Sequence, residues 1–78
     1  MTVKQLIKEL SSLPPNYLVV MSRDAEGNHY APLGTLDGNS TYNDGDIGIL
    51  KMTDTLREQG YTEEDVKPGR KCVVFWPA

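Results

Sequence analysis

The chain has 78 residues and one cysteine, Cys72, so it can form one small domain over residues 1–78, but neither an intramolecular disulfide nor a cysteine-based zinc site. No apolar segment approaches the roughly 18 residues that a membrane span needs, and the N-terminus lacks the pattern of a secretory signal peptide. We therefore expect a soluble cytoplasmic protein without membrane contact. The net charge is −3 and the middle of the chain is acidic, so nucleic acid is not expected as a partner.

The first predicted element is an amphipathic helix at the N-terminus. Thr2 and Gln5 have the spacing of a capping box, in which each side chain accepts a hydrogen bond from a free amide at the helix start. Pro14 and Pro15 lack the amide hydrogens that would continue the helix, so it is expected to end before them. We expect the apolar face to pack on a sheet, because the polar face has too few cations for a membrane surface. The apolar face consists of Val3, Leu6, Ile7, Leu10 and Leu13.

Two short segments, residues 17–22 and 71–76, predict buried strands. Both are rich in residues that favour strands, and both carry apolar side chains on each face of the strand. Leaving such side chains in water forfeits about 1.5–3 kcal/mol each, so both faces require cover. The sequence therefore predicts these segments as adjacent interior strands.

Between these segments the signals are weaker. Residues 30–36 predict an edge strand, because Pro32 cannot donate to a ladder. Residues 37–40 and 43–45 have the composition of loops.

The region 53–66 predicts a short second helix. Thr53 or Asp54 can cap it, Gly60 is in the usual stop position after Gln59, and Thr62 can cap one further turn. The fold class is therefore α+β: an N-terminal helix packed on a small antiparallel sheet of three to four strands, with an additional short helix in the 53–66 region.

The stretch 20–30, "VMSRDAEGNHY", leads from an apolar segment into a polar bend. It predicts a β-hairpin whose bend lies within Asp24–Asn28. Gly27 supplies a positive φ, and the Asp24 carboxylate accepts hydrogen bonds from amides further along the bend. The same stretch holds the candidate binding residues, which are Asp24, Glu26, Asn28 and His29.

No motif for catalysis, a cofactor or a metal is found. Asp44–Ile47 is similar to the centre of a calcium-binding EF-hand loop. In that alignment, however, Lys51 occupies the position at which the loop requires a bidentate glutamate. Cys72 lies in an apolar strand and is expected to be an inert thiol, and His29 has no second histidine with which to bind a metal. We therefore expect no catalytic residues and no cofactor.

Several stretches together resemble a family of small proteins encoded by tailed bacteriophages. They are the Ser-x-Asp-Ala-Glu-Gly-Asn turn at 22–28, the pair Pro32-Leu33 and the closing Trp76-Pro77. The N-terminal helix and the "LPPN" that follows it also match, so the resemblance covers nearly the whole chain. It implies a bacteriophage accessory protein in an infected bacterial cytoplasm, and it implies no particular activity.

These observations predict a non-enzymatic accessory protein that acts by binding a host protein, as an inhibitor or modulator. One alternative is a protein that sequesters a small ligand or nucleotide, with Asp24, Asn28 and His29 at a dimer interface. Another is a small hydrolase that uses the carboxylates of Asp24 and Glu26. A third is mimicry of nucleic acid by the acidic middle of the chain. The uncovered sheet face also predicts a homodimer, unless residues 50–66 fold back over that face and leave a monomer.

Overall fold

The computed structural model describes all 78 residues and confirms the α+β class, with two short helices and a four-stranded antiparallel sheet. No helix is long and apolar enough to cross a membrane. In chain order the elements are α1 (Val3–Leu10), β1 (Val20–Ser22), β2 (Tyr30–Asn43), β3 (Asp46–Ile49), α2 (Asp54–Glu58), a 3₁₀ turn (Glu63–Asp65) and β4 (Arg70–Pro77).

Helix α1 begins as predicted and ends early. The Gln5 amide donates to Thr2 Oγ1 over 3.2 Å, and the Thr2 amide donates to Gln5 Oε1 over 2.7 Å, which completes the capping box. The helix ends at Leu10 rather than near Leu13. The Ser11 hydroxyl donates to the Lys8 carbonyl over 2.8 Å, and Ser12 makes the same kind of bond one residue on. These bonds satisfy carbonyls that have no amide partner at the end of a helix.

Strand β2 is the central strand of the sheet. Its first residues pair with β1, its last residues pair with β3, and β4 also pairs with it. The predicted strand near the C-terminus is therefore present, but the prediction that 17–22 and 71–76 are adjacent interior strands is wrong. The segment 17–22 forms only the three-residue strand β1, and β2 lies between β1 and β4.

The edge position predicted for residues 30–36 is also wrong, since they belong to the central strand β2. The sheet tolerates Pro32 there because of the side to which its backbone nitrogen points. The Leu33 amide donates to the Val19 carbonyl, so the neighbouring Pro32 backbone is directed away from β1. On that other side the Pro32 carbonyl accepts the amide of Ala78, the residue that follows β4, over 2.9 Å. The missing donor therefore costs the sheet one bond at the end of a ladder, where a proline is tolerated.

The predicted loop at 37–40 is instead part of β2, which runs unbroken for 14 residues. The polar side chains that suggested a loop stabilise the strand. Asp37 accepts the Asn39 amide over 2.8 Å and the Ser40 hydroxyl over 3.1 Å. The Asn39 side chain exchanges two hydrogen bonds with the backbone of Lys51, at 2.9 and 3.0 Å.

The turn predicted at 43–45 is confirmed and connects β2 to β3. Asp44 and Gly45 both have positive φ, at 50° and 87°, between the paired residues Asn43 and Asp46. Two central residues with positive φ are typical of a type I′ turn, whose twist matches that of a hairpin. The predicted helix from Thr53 and its stop at Gly60, with φ 98°, are likewise found.

The chain comprises two compact units: an N-terminal unit, Met1–Thr35 with Trp76–Ala78, and a second unit, Leu36–Phe75. In the second unit Ser40 and Thr41 are each only 3% exposed, and Gly48 is also buried. In the N-terminal unit no residue is buried, and the chain has no fully buried apolar side chain.

Candidate functional site

The predicted bend connects β1 to β2 in the N-terminal unit and centres on Asp24. The Asp24 Oδ1 atom accepts the backbone amides of Glu26, at 2.9 Å, and Asn28, at 3.2 Å. The Ser22 hydroxyl donates to the Asp24 carbonyl, and the Gly27 amide reaches the same carbonyl over 3.4 Å. One carboxylate therefore shapes the bend, as expected for an aspartate at the start of such a turn.

Three of the four candidate residues are brought together. The Asn28 side-chain amide donates to Glu26 Oε2 over 3.3 Å, beside the Asp24 carboxylate that holds both backbones. His29 takes part through its carbonyl, which accepts the Arg23 amide over 2.8 Å, and its imidazole is exposed. The arrangement is a hydrogen-bonded loop at the surface with two carboxylates facing solvent.

Gly27 has the positive φ that the sequence predicts, 74°. A Cβ atom built at this position would lie 2.7 Å from the Tyr30 Oη atom. Both the backbone conformation and the neighbouring tyrosine therefore favour glycine at this position.

The hydrogen bonds lower the pKa of the Asp24 carboxyl group below its ordinary value of 3.8, chiefly through the Asn28 backbone amide, with the Glu26 amide adding to it. We expect an NMR titration to place the Asp24 midpoint below 3.8. The amide resonances of Glu26 and Asn28 should shift with the same midpoint, because protonation weakens the acceptor of both bonds. The contribution of this carboxylate to stability is complete above the ordinary value and is lost as the pH falls through the lower folded-state pKa. Asp24→Asn is the control, since it removes the titration. A midpoint at or above 3.8 would contradict the observed bonding.

A second surface, which the sequence did not identify as a site, is an apolar groove in the same unit. It has a volume of about 700 Å³ and is lined by residues from Leu10 to Val20. Leu13 is 52% exposed and Leu18 is 77% exposed. The signal in the sequence was the two-sided apolar segment after Pro14-Pro15. The sequence predicts an interior strand in this segment, but only Val20–Ser22 of it forms a strand.

The apolar face of α1 is exposed as well. Val3, Ile7 and Leu10 are 56%, 62% and 47% exposed, and no residue of the helix is buried. Leu10 also lines the groove, so the helix face and the groove form one surface. We call it the apolar surface. Of the sixteen large apolar side chains that are exposed, eleven belong to the N-terminal unit.

Comparisons with protein-family models, with curated proteins and with solved structures found no match to this chain. The resemblance to tailed-bacteriophage proteins therefore stays a prediction. Within the structure, no group of three or more His, Cys, Asp or Glu side chains is placed to hold a metal ion. Cys72 is a free, half-buried thiol in β4. Two surface features of the N-terminal unit remain to be considered for recognition: the bend with Asp24 and Glu26, and the apolar surface.

Proposed function

We propose that this protein acts by binding another protein through the apolar surface of its N-terminal unit. The observation that carries the proposal is the exposure of Val3, Ile7 and Leu10 on α1, continuous with the groove behind Leu10. Exposing a contiguous apolar surface to water costs free energy. On folded proteins such a surface marks a site of interaction. An amphipathic helix whose apolar face lacks a partner within the chain is a common recognition element.

The bend supports the same proposal. A hydrolytic site needs a carboxylate that is free to act on substrate, whereas Asp24 Oδ1 already accepts two backbone amides of its own loop. Those bonds support a structural use of the carboxylate in forming the β1–β2 connection. Protein binding therefore needs fewer assumptions than the hydrolase or the ligand-sequestering alternative.

The resemblance supplies the biological setting of the proposal. We take the protein as a bacteriophage accessory factor that works in the cytoplasm of an infected bacterium, where it binds a host protein and inhibits or redirects it. In the bound state the partner covers the apolar face of α1, the face that the sequence predicts to be packed. The acidic charge of residues 36–65 then stays at the surface and keeps the complex in solution.

Affinity capture from bacterial lysate tests the proposal. The wild-type chain is expected to retain one host protein in stoichiometric amount. Ile7→Gln, which places an amide in the middle of the apolar surface, is expected to reduce that capture at least tenfold. Lys8→Gln is the matched control, because the same residue is introduced on the polar face of the same helix, and it should capture as the wild type does. Equal capture by both variants, or no specific partner for the wild type, would count against the proposal.

A further inference from the structure

One copy of the chain leaves its apolar surface exposed. Helix α1 has eight residues, and isolated helices shorter than about 12–15 residues are marginal in water, so most of their stability comes from packing of an apolar face. That face is exposed here. Chains of this size that lack disulfides and metals commonly complete their core by association with a second subunit.

The area of the chain supports the same conclusion. The chain exposes 6664 Å². By the relation between surface and mass for folded proteins, two separate bodies that share its 8.7 kDa equally would expose about 5,700 Å² together. The chain therefore exposes an excess of about 950 Å² over two separate bodies of that size. Two chains that cover this excess against each other bury about 1,900 Å² in total, which is the size of a stable protein interface.

The charges determine which unit can meet its own copy. The N-terminal unit is neutral, since it has three cations and three carboxylates: Lys4, Lys8 and Arg23 against Glu9, Asp24 and Glu26. The second unit has five cations and eight carboxylates, and so carries the whole net charge of −3. Contact between two second units would bring like charges together, whereas contact between two N-terminal units has no such repulsion.

We infer that, before it meets another protein, the apolar surface of each chain is occupied by the N-terminal unit of a second copy. In a dimer with two-fold symmetry, α1 of each copy packs in the groove of the other copy. A single self-complementary interface then covers both apolar surfaces. The inference rests on the proposed function in one respect: the second copy and the host protein bind the same apolar surface. It adds that a host protein has to displace the second copy in order to bind.

Size-exclusion chromatography with light scattering, on the purified chain alone, tests the inference. The wild type is expected to have twice the 8.7 kDa mass of the chain at micromolar concentration. Ile7→Gln should raise the dissociation constant of the dimer at least tenfold, and Lys8→Gln should leave it unchanged. A folded wild-type chain of monomeric mass across the micromolar range, or an Ile7→Gln dimer as tight as the wild type, would overturn the inference.

A measurement on the wild type covers the case in which Ile7→Gln fails to fold. In a mixture of isotope-labelled and unlabelled chains, intermolecular NOEs are expected between the methyl groups of Ile7 or Leu10 and those of Leu18 or Val19. Intermolecular NOEs confined to residues 36–75 would overturn the inference. The two proposals fail separately: a monomer that captures a host protein through Ile7 defeats only the inference. A dimer that captures none supports the inference and defeats the proposed function.

Discussion

Replacing Gly48 with alanine is expected to lower the free energy of unfolding by about 2–3 kcal/mol, the cost of overpacking together with loss of a buried hydrogen bond. A Cβ atom at this buried position would lie 2.5 Å from Lys67 Cβ and 3.0 Å from Thr41 Oγ1. Lys67 Cβ is close to the backbone and cannot rotate away, so the segment at Lys67 has to move. Thr41 Oγ1 donates to the Lys67 carbonyl over 2.9 Å, and this bond breaks when the segment moves. The hydroxyl of Thr41, a residue only 3% exposed, is then left without its partner.

Urea denaturation at one fixed protein concentration measures the effect. Gly38→Ala is the matched control, because Gly38 is in β2 and a Cβ atom there meets nothing within 4 Å. The control is expected to change stability by less than about 1 kcal/mol, and it can be slightly stabilising because alanine restricts the unfolded chain. Equal midpoints for Gly48→Ala and the wild type would show that the Lys67 segment does not lie against β3 as described.

Replacing Gly34 with alanine is expected to cost about 1–2 kcal/mol and to act at the C-terminus. Its Cβ atom would lie 2.5 Å from Ala78 Cα, 2.7 Å from Ala78 N and 2.8 Å from Pro77 O. All three are backbone atoms, so no side-chain rotation relieves the contact. The Ala78 segment can move away if it gives up the bond from the Ala78 amide to the Pro32 carbonyl. The cost is smaller than at Gly48, because Gly34 and Ala78 are exposed whereas Gly48 is buried.

Trp76 provides the measurement for this second variant. In Gly34→Ala its fluorescence should shift to longer wavelength, and the Ala78 amide should exchange faster with deuterium, since the terminal segment separates from β2. In Gly48→Ala neither signal should change below the unfolding transition, and Gly38→Ala again serves as the control. A Trp76 signal identical to that of the wild type in Gly34→Ala would contradict the contact between residue 34 and the chain end.

The two glycines and the apolar surface bear on function in different ways. Gly34 and Gly48 allow close approach of backbone segments, so their substitution tests how each unit is built. Ile7 is 62% exposed, and its substitution tests what the surface binds. A loss of stability in the glycine variants with partner capture retained, beside a loss of capture in Ile7→Gln with stability retained, would separate the two roles.

Short-range hydrogen bonding is what the sequence by itself determined about this protein. The capping box of Thr2 and Gln5, the turn at Asp44-Gly45 and the bend held by Asp24 each involve residues at most four positions apart, and all three are found. The stop of α2 at Gly60 has the same local origin. In each case the residue type itself supplies the cap, the acceptor or the positive φ, so no distant partner is needed.

The tertiary structure decided which strand is central and how much of the chain is left uncovered. Residues 37–40 have the composition of a loop, yet they extend β2 because Asn39 bonds to Lys51, 12 positions away, and Thr41 bonds to Lys67, 26 positions away. Pro32 lies within the central strand because its missing amide falls where β4 ends, a position that composition cannot locate. The apolar segments at residues 3–20 predicted a covered core, and they line an exposed surface instead. Apolar patterning shows that a side chain gains free energy by leaving water, but the burying partner, whether in the same chain or in another, depends on the arrangement in space.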